Sequence, residues 1–414
     1  MRSPFRRALL MLLGSVTAFA AMAALQSPPA AVMRVQPRIH EIRLEVELFQ
    51  QAPTGGNYGV FTDPTGQRRT YAKTEPTYRA NGVSLGVPVL VRTSWCDTDF
   101  TKIGLRGSVD GKEYPVDPAR AFQRAASGPQ AVIRFDLPFE RGVAETITTR
   151  VTYQVQRWEL RVDEAAAAKV TWPREWDDGL DRFLRKEPGI DPTDARIKSL
   201  AEEATPGGPR SVGPYIAVRN AVAKFAKGWR VTNSGTSIYG QKGALRGINF
   251  TDGAWGLDAG GTPVELAAAC TAAIRSLGVP ARIVYCLQGK SSRSKSGSSG
   301  TSGCQFRMIG EFFIPDIGWI PFDPLLMRQT SGQTASNGSI KGFANVPDLH
   351  EALPLAHTLV PEGFVKADRF ALWGWTGGVT VDEETAVTRI GFEDSSRGNG
   401  KTPSMPAPVR DDAR

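Results

Sequence analysis

The sequence predicts an α+β protein: an antiparallel β-sandwich, then a segment in which helices give way to strands. Two observations carry this. Period-2 strand patterns follow one another from Ile42 to Val162, and capped amphipathic helices are confined to the stretch between about residues 190 and 280. Abundant turn formers, with 43 Gly and 29 Pro among 414 residues, agree with many short connections rather than a helical bundle.

The elements follow in chain order. Arg2, Arg6 and Arg7 precede an apolar run, Ala8–Ala24, and Ala21-Met22-Ala23 offers a small-x-small cleavage site. This order is that of an export signal over residues 1–25. The run is shorter than the ~20 residues of a membrane span, so membrane attachment is expected only if the segment is not cleaved. The expected location is the periplasm or the exterior, where cysteines can pair. A Pro-rich linker leads to a sandwich over residues 38–162. There Ile42, Leu44, Val46 and Leu48 alternate with Arg43, Glu45 and Glu47, giving one dry and one wet face. Val87–Trp95, Lys102–Val109, Ala131–Leu137 and Glu145–Val162 are further strands.

A second domain is expected over residues 177–345. Asp191-Pro192 reads as a helix start, Asp as N-cap and Pro at the first position. A second helix follows Gly213-Pro214, with Val218, Ala221, Val222 and Phe225 on one face. Thr262-Pro263-Val264-Glu265 is a capping box opening a third helix, which Gly278-Val279-Pro280 stops. Strands return at Ala281–Leu287, Gln305–Ile314 and Trp319–Phe322. Between the first two lies a Ser/Gly-rich loop, 288–303, of linker composition. Residues 346–394 form a C-terminal extension with no assigned role, and 395–414 a polar tail expected to be disordered.

Composition narrows the chemistry. The formal charge is +8, and three of the positive side chains lie in the leader, so the surplus is too dilute to suggest a nucleic-acid partner. Three histidines (His40, His350, His357) and four cysteines (Cys96, Cys270, Cys286, Cys304) occur without C-x-x-C or H-x-x-x-H spacing. No metal site and no cofactor are expected.

The runs Gly261–Val284 and Glu311–Pro324 resemble the transglutaminase-like core, through Leu277-Gly278-Val279-Pro280-Ala281-Arg282 and Gly318-Trp319-Ile320-Pro321-Phe322-Asp323-Pro324. The resemblance, over roughly residues 190–330, implies a papain-like fold behind a β-sandwich. It also implies a Cys–His–Asp triad in which the thiol attacks a carbonyl. By the family's spacing the nucleophile falls twelve residues before Arg275, on Pro263. The base falls four before Glu311, on Arg307, and the orienting acid is Asp323. Proline has no nucleophile, and a guanidinium stays protonated and is no base. The expectation is therefore a degenerate module that binds a protein or peptide, or has a structural role, with Trp255 and Trp319 as possible groove residues. The alternative is a thiol-dependent amidase, peptidase or cross-linking acyltransferase using Cys270, about 10 Å further along the same helix. A further expectation is an Arg307–Asp323 ion pair in place of His–Asp. Cys286 and Cys304, at the feet of the loop, are expected to form a disulfide worth ~3 kcal/mol.

Overall fold

A computed structural model describes residues 31–50, 58–62, 68–72, 78–79, 81–124, 130–140, 142–231, 244–245, 257, 260–289, 304–331, 339–358, 365–366, 374–376 and 386–396. The leader, Trp255, most of the Ser/Gly-rich loop and the last eighteen residues lie outside them.

The sandwich is built on five long strands: β1 (Val32–Gln50), β2 (Gly82–Leu90), β3 (Cys96–Val109), β4 (Gln130–Pro138) and β5 (Thr146–Val162). The alternation expected around residue 42 is realised. Ile42, Leu44, Val46 and Leu48 are at most 1% exposed, whereas Arg43, Glu45 and Glu47 are only half-buried. β5 alternates likewise, and pairs antiparallel with β1 on one side and β3 on the other. Facing this sheet is a second one, in which β2 pairs with β4.

The second domain contributes helices α1 (Ala195–Glu202), α2 (Pro214–Gly228), α3 (Pro263–Ser276) and α4 (Pro324–Gln329), and strands β6 (Ala281–Gly289), β7 (Cys304–Ile314) and β8 (Gly318–Phe322). Helix α3 is buried along nearly its whole length, as expected for a central helix whose Ala-rich surface lets neighbours approach closely. Helix α1 begins later than expected. Asp191 instead closes an Asx turn onto Thr193, and Asp194 is the N-cap, accepting from the amides of Arg196 and Ile197.

The C-terminal extension is not an appendage. Strand β9 (Ala352–Ala356) completes the second domain's sheet in the order β8-β7-β6-β9. Residues 374–376 pair with β2, and β10 (Ala386–Ser396) pairs with β1. The sandwich therefore extends beyond residues 38–162 at both ends. Its first strand begins at Val32, and β10 covers the β1 edge that would otherwise expose unpaired backbone groups. Strand β10 also runs through Ser396, so the polar tail starts later than expected.

The two domains share one continuous apolar core. Across their junction the Ser94 hydroxyl donates to Glu311 (2.6 Å), and the Trp95 indole donates to the Ala352 carbonyl (3.1 Å).

Candidate functional site

The start of α3, where counting by the resembled family's spacing puts the nucleophile, is a fully formed helix cap. Thr262 Oγ1 accepts from the Glu265 amide, Glu265 Oε2 accepts from the Thr262 amide, and Pro263 takes the first helical position. The cap is itself clamped. The Trp229 indole donates to the Gly261 carbonyl (3.1 Å), the Gly261 amide donates to the Arg230 carbonyl (3.0 Å), and Arg328 of α4 donates to the Trp229 carbonyl. Only glycine fits at position 261, since a Cβ there would lie 2.6 Å from Glu265 Oε2 and 2.7 Å from the Trp229 ring. Trp229, Gly261 and Glu265 thus shape this locus. The capping box was readable in the sequence, but the Trp229 clamp comes from a helix thirty residues away.

Arg307 and Asp323 do meet. Arg307 Nε donates to Asp323 Oδ2 at 2.9 Å, with the side chains 14% and 7% exposed. The other Asp323 oxygen accepts from the Leu326 amide (2.9 Å), capping α4. Arg307 also donates to the Pro347 carbonyl (3.1 Å) and the Asp348 carbonyl (3.4 Å). The C-terminal extension therefore closes over this side chain, with Asp348 held in the left-handed region at φ 54°.

Register explains which way these groups point. Directly opposed residues of an antiparallel pair share a face. Arg307 opposes Cys286, and Glu311 opposes Arg282, so all four lie on one face of the sheet, the face that Ser94 of the sandwich touches through Glu311. Phe312 lies on the opposite face, against Tyr215 of α2. Arg282 Nε donates to Glu311 Oε2 (2.8 Å) with both side chains buried.

The same register decides the cysteines. Cys304 opposes Gly289, three residues from Cys286 along the strand, far beyond the ~4.4–6.8 Å Cα separation that a disulfide spans. Cys286 is a free, fully buried thiol, so the expected Cys286–Cys304 bond is not formed. Cys96 and Cys270 are also free and buried. Burial pushes all three thiols up: Cys96 to about 12, Cys270 further still, and Cys286 well above its ordinary value despite the Arg307 guanidinium nearby. The imidazole contacts are with Asp394 (His40 Nδ1, 2.7 Å), Arg38 (His350 Nε2, 2.8 Å) and the Ile283 carbonyl (His357 Nδ1, 3.1 Å). Among the described residues none is with a thiol.

Trp319 does not line a groove. It is 3% exposed, with the Arg282 guanidinium stacked 3.8 Å from its ring centre. Trp255 falls outside the described residues. A cavity of about 630 Å³ opens instead between α1 and the end of α2, lined by Leu200, Phe225, Trp229 and Leu257. Among the described residues there is no cluster of three His, Cys, Asp or Glu able to hold a metal ion.

Residues 239–324 match the family model of the transglutaminase-like superfamily. Among solved structures, a protein of Cytophaga hutchinsonii described as a candidate cysteine protease is 13% identical, with 90% of this chain and 95% of that one covered at a TM-score of 0.49. The periplasmic domain of TgpA from Pseudomonas aeruginosa is 14% identical, with 75% and 98% covered at a TM-score of 0.28. No curated protein matches the chain. The matched segment holds the α3 helix, the β6–β8 strands and the Asp323 turn, so over residues 239–324 the chain is similar to the transglutaminase-like domain.

Proposed function

We propose that this chain is an exported, catalytically inactive transglutaminase-like module that binds a peptide or protein, or serves as a structural unit. The observation that carries this is the state of Arg307. Its guanidinium is held by Asp323 and two backbone carbonyls, and it offers no lone pair at the position where a base would take a proton. Pro263 supports the same conclusion, because its ring starts a helix and has no nucleophilic atom. Asp323 has both oxygens engaged, one on a cation and one on a helix amide. The three described thiols are buried and held protonated, so none supplies a substitute nucleophile. Export rests on the leader pattern of residues 1–25.

The test is thiol reactivity in the folded chain. Iodoacetamide at pH 7.5 is expected to leave Cys96, Cys270 and Cys286 unlabelled until denaturant is added, while a Pro263→Cys variant is labelled at position 263 in the folded state. Amine incorporation into a glutamine-bearing protein, and hydrolysis of peptide amides, should stay at background. Rapid labelling of one native thiol, accompanied by loss of a measurable acyl transfer or hydrolysis, would instead establish the thiol-enzyme alternative.

A further inference from the structure

Beside the buried Arg282–Glu311 pair lies a second cationic group without a counter-ion. Arg182, in the short 3-10 turn Asp181–Leu184, sits with its guanidinium carbon 4.5 Å from the centre of the Phe183 ring. Arg282 lies 5.6 Å from the same ring and 3.8 Å from Trp319, and the two rings meet edge to face at 4.9 Å. The aromatic pair is thus a shared platform for two guanidiniums. The nearby carboxylates are already engaged: Glu311 by Arg282 and Ser94, and Glu187 by Arg275. Among the described residues the Arg182 side chain makes no hydrogen bond or ion pair, and its Nε is buried without an acceptor. The Arg182 side chain is only partly buried, but its Nε is a buried donor without an acceptor next to a second cation, a cost that a bound anion removes.

His357 completes the group. It follows β9, and its Nδ1 is held by the Ile283 carbonyl, one residue from Arg282, while its Nε2 is buried with no partner. Burial first, then Arg282 and, more weakly, Arg182, hold this imidazole well below its ordinary proton affinity. The Arg182 guanidinium is likewise lowered by burial and by Arg282. With Nδ1–H donating to the carbonyl, the neutral ring leaves a lone pair on Nε2.

We infer that Arg182, Arg282 and His357 form a receptor for an oxyanion, a carboxylate or phosphate group, seated on the Phe183–Trp319 platform. Bidentate geometry suits a guanidinium to either group. Entry of the negative charge offsets the repulsion between the cations and favours a proton on His357 Nε2, so binding takes up a proton and tightens as pH falls toward 6. This site is independent of the triad-equivalent positions and holds whether or not the core is catalytic.

The test uses the full chain, titrated at pH 6 with inorganic phosphate and, separately, with acetate, sodium chloride keeping ionic strength constant. The long-range imidazole correlations of the three histidines are the readout. The expected result is saturable movement of the His357 signals, a rise in their titration midpoint, and at least tenfold weaker binding in Arg182→Gln. Response to phosphate alone identifies a phosphate site, and response to acetate identifies a carboxylate site. Arg120→Gln, at a side chain 91% exposed, serves as the control for general surface charge. Absence of saturable His357 movement with either anion, or equal weakening by both substitutions, would overturn the proposal.

Discussion

Replacing Asp323 by alanine removes two interactions at once, and the structure sets their sizes separately. The first is the cap on α4, where Oδ1 accepts from the Leu326 amide; an N-cap Asp to Ala change costs about 1 kcal/mol. The second is the ion pair with Arg307, whose side chains are 14% and 7% exposed. Breaking a fully buried pair costs about 3–5 kcal/mol. Arg307 keeps its two backbone carbonyls after the change, which places this loss nearer ~2–3 kcal/mol. Together the expected destabilisation is about 3–4 kcal/mol, or roughly 10 °C in Tm for a domain of this size. Asp323→Asn separates the parts, since asparagine caps a helix as well as aspartate does but carries no charge; it should lose only the ion-pair share. The assay is chemical denaturation of the two variants beside Lys198→Ala, an exposed position on α1, with Arg307→Ala and the double variant completing a cycle for the coupling. A midpoint for Asp323→Ala indistinguishable from that of Lys198→Ala, or a coupling energy of zero, would refute the pair as a structural element.

Further outcomes follow from the same geometry. Gly310→Ala would set a Cβ 2.0 Å from the Phe322 ring between β7 and β8, so it should destabilise by several times the ~1 kcal/mol of an average substitution, as read by thermal melting; a neutral result would mean the strands are spaced otherwise. Burial lowers the proton affinity of His350, helped by Arg38, and lowers that of His357 much further. Both fold as neutral rings. The unfolded chain therefore binds more protons below the ordinary histidine value of about 6.5, and their contribution, present above it, is lost as pH falls toward the folded values. Denaturation midpoints in chloride buffers should drop from pH 7 to pH 5, and the slope should flatten in a His350→Gln/His357→Gln variant; an unchanged slope would contradict the assignment.

Legibility in the sequence tracked the range of the interaction. The α3 capping box, the alternation of β1 and the strands β6, β7 and β8 all lie in contacts between residues a few positions apart, and each appears as expected, the strands running one or two residues longer. The Arg307–Asp323 contact was legible too, both positions being counted from local motifs. Helix α1 shows a limit even here. Asp191 and Asp194 are both competent caps, and the choice fell to the later one because the first closed a turn on Thr193.

The sequence alone carries the count that puts Pro263 and Arg307 at the positions where the resembled family has its thiol and imidazole. It also settled the strand and helix periods that bury one face of each element. Only the folded molecule decided what those residues touch. β10 returns from residues 386–396 to pair with β1, a contact that nothing local near either strand encodes. A three-residue offset in register separates Cys286 from Cys304 along the pair of strands. Asp323 serves a helix cap and an ion pair at once, and Arg182 is stranded beside Arg282 on an aromatic platform. Each depends on register and packing between segments distant in the chain, which are set by the burial of the whole apolar core rather than by the spacing of neighbours.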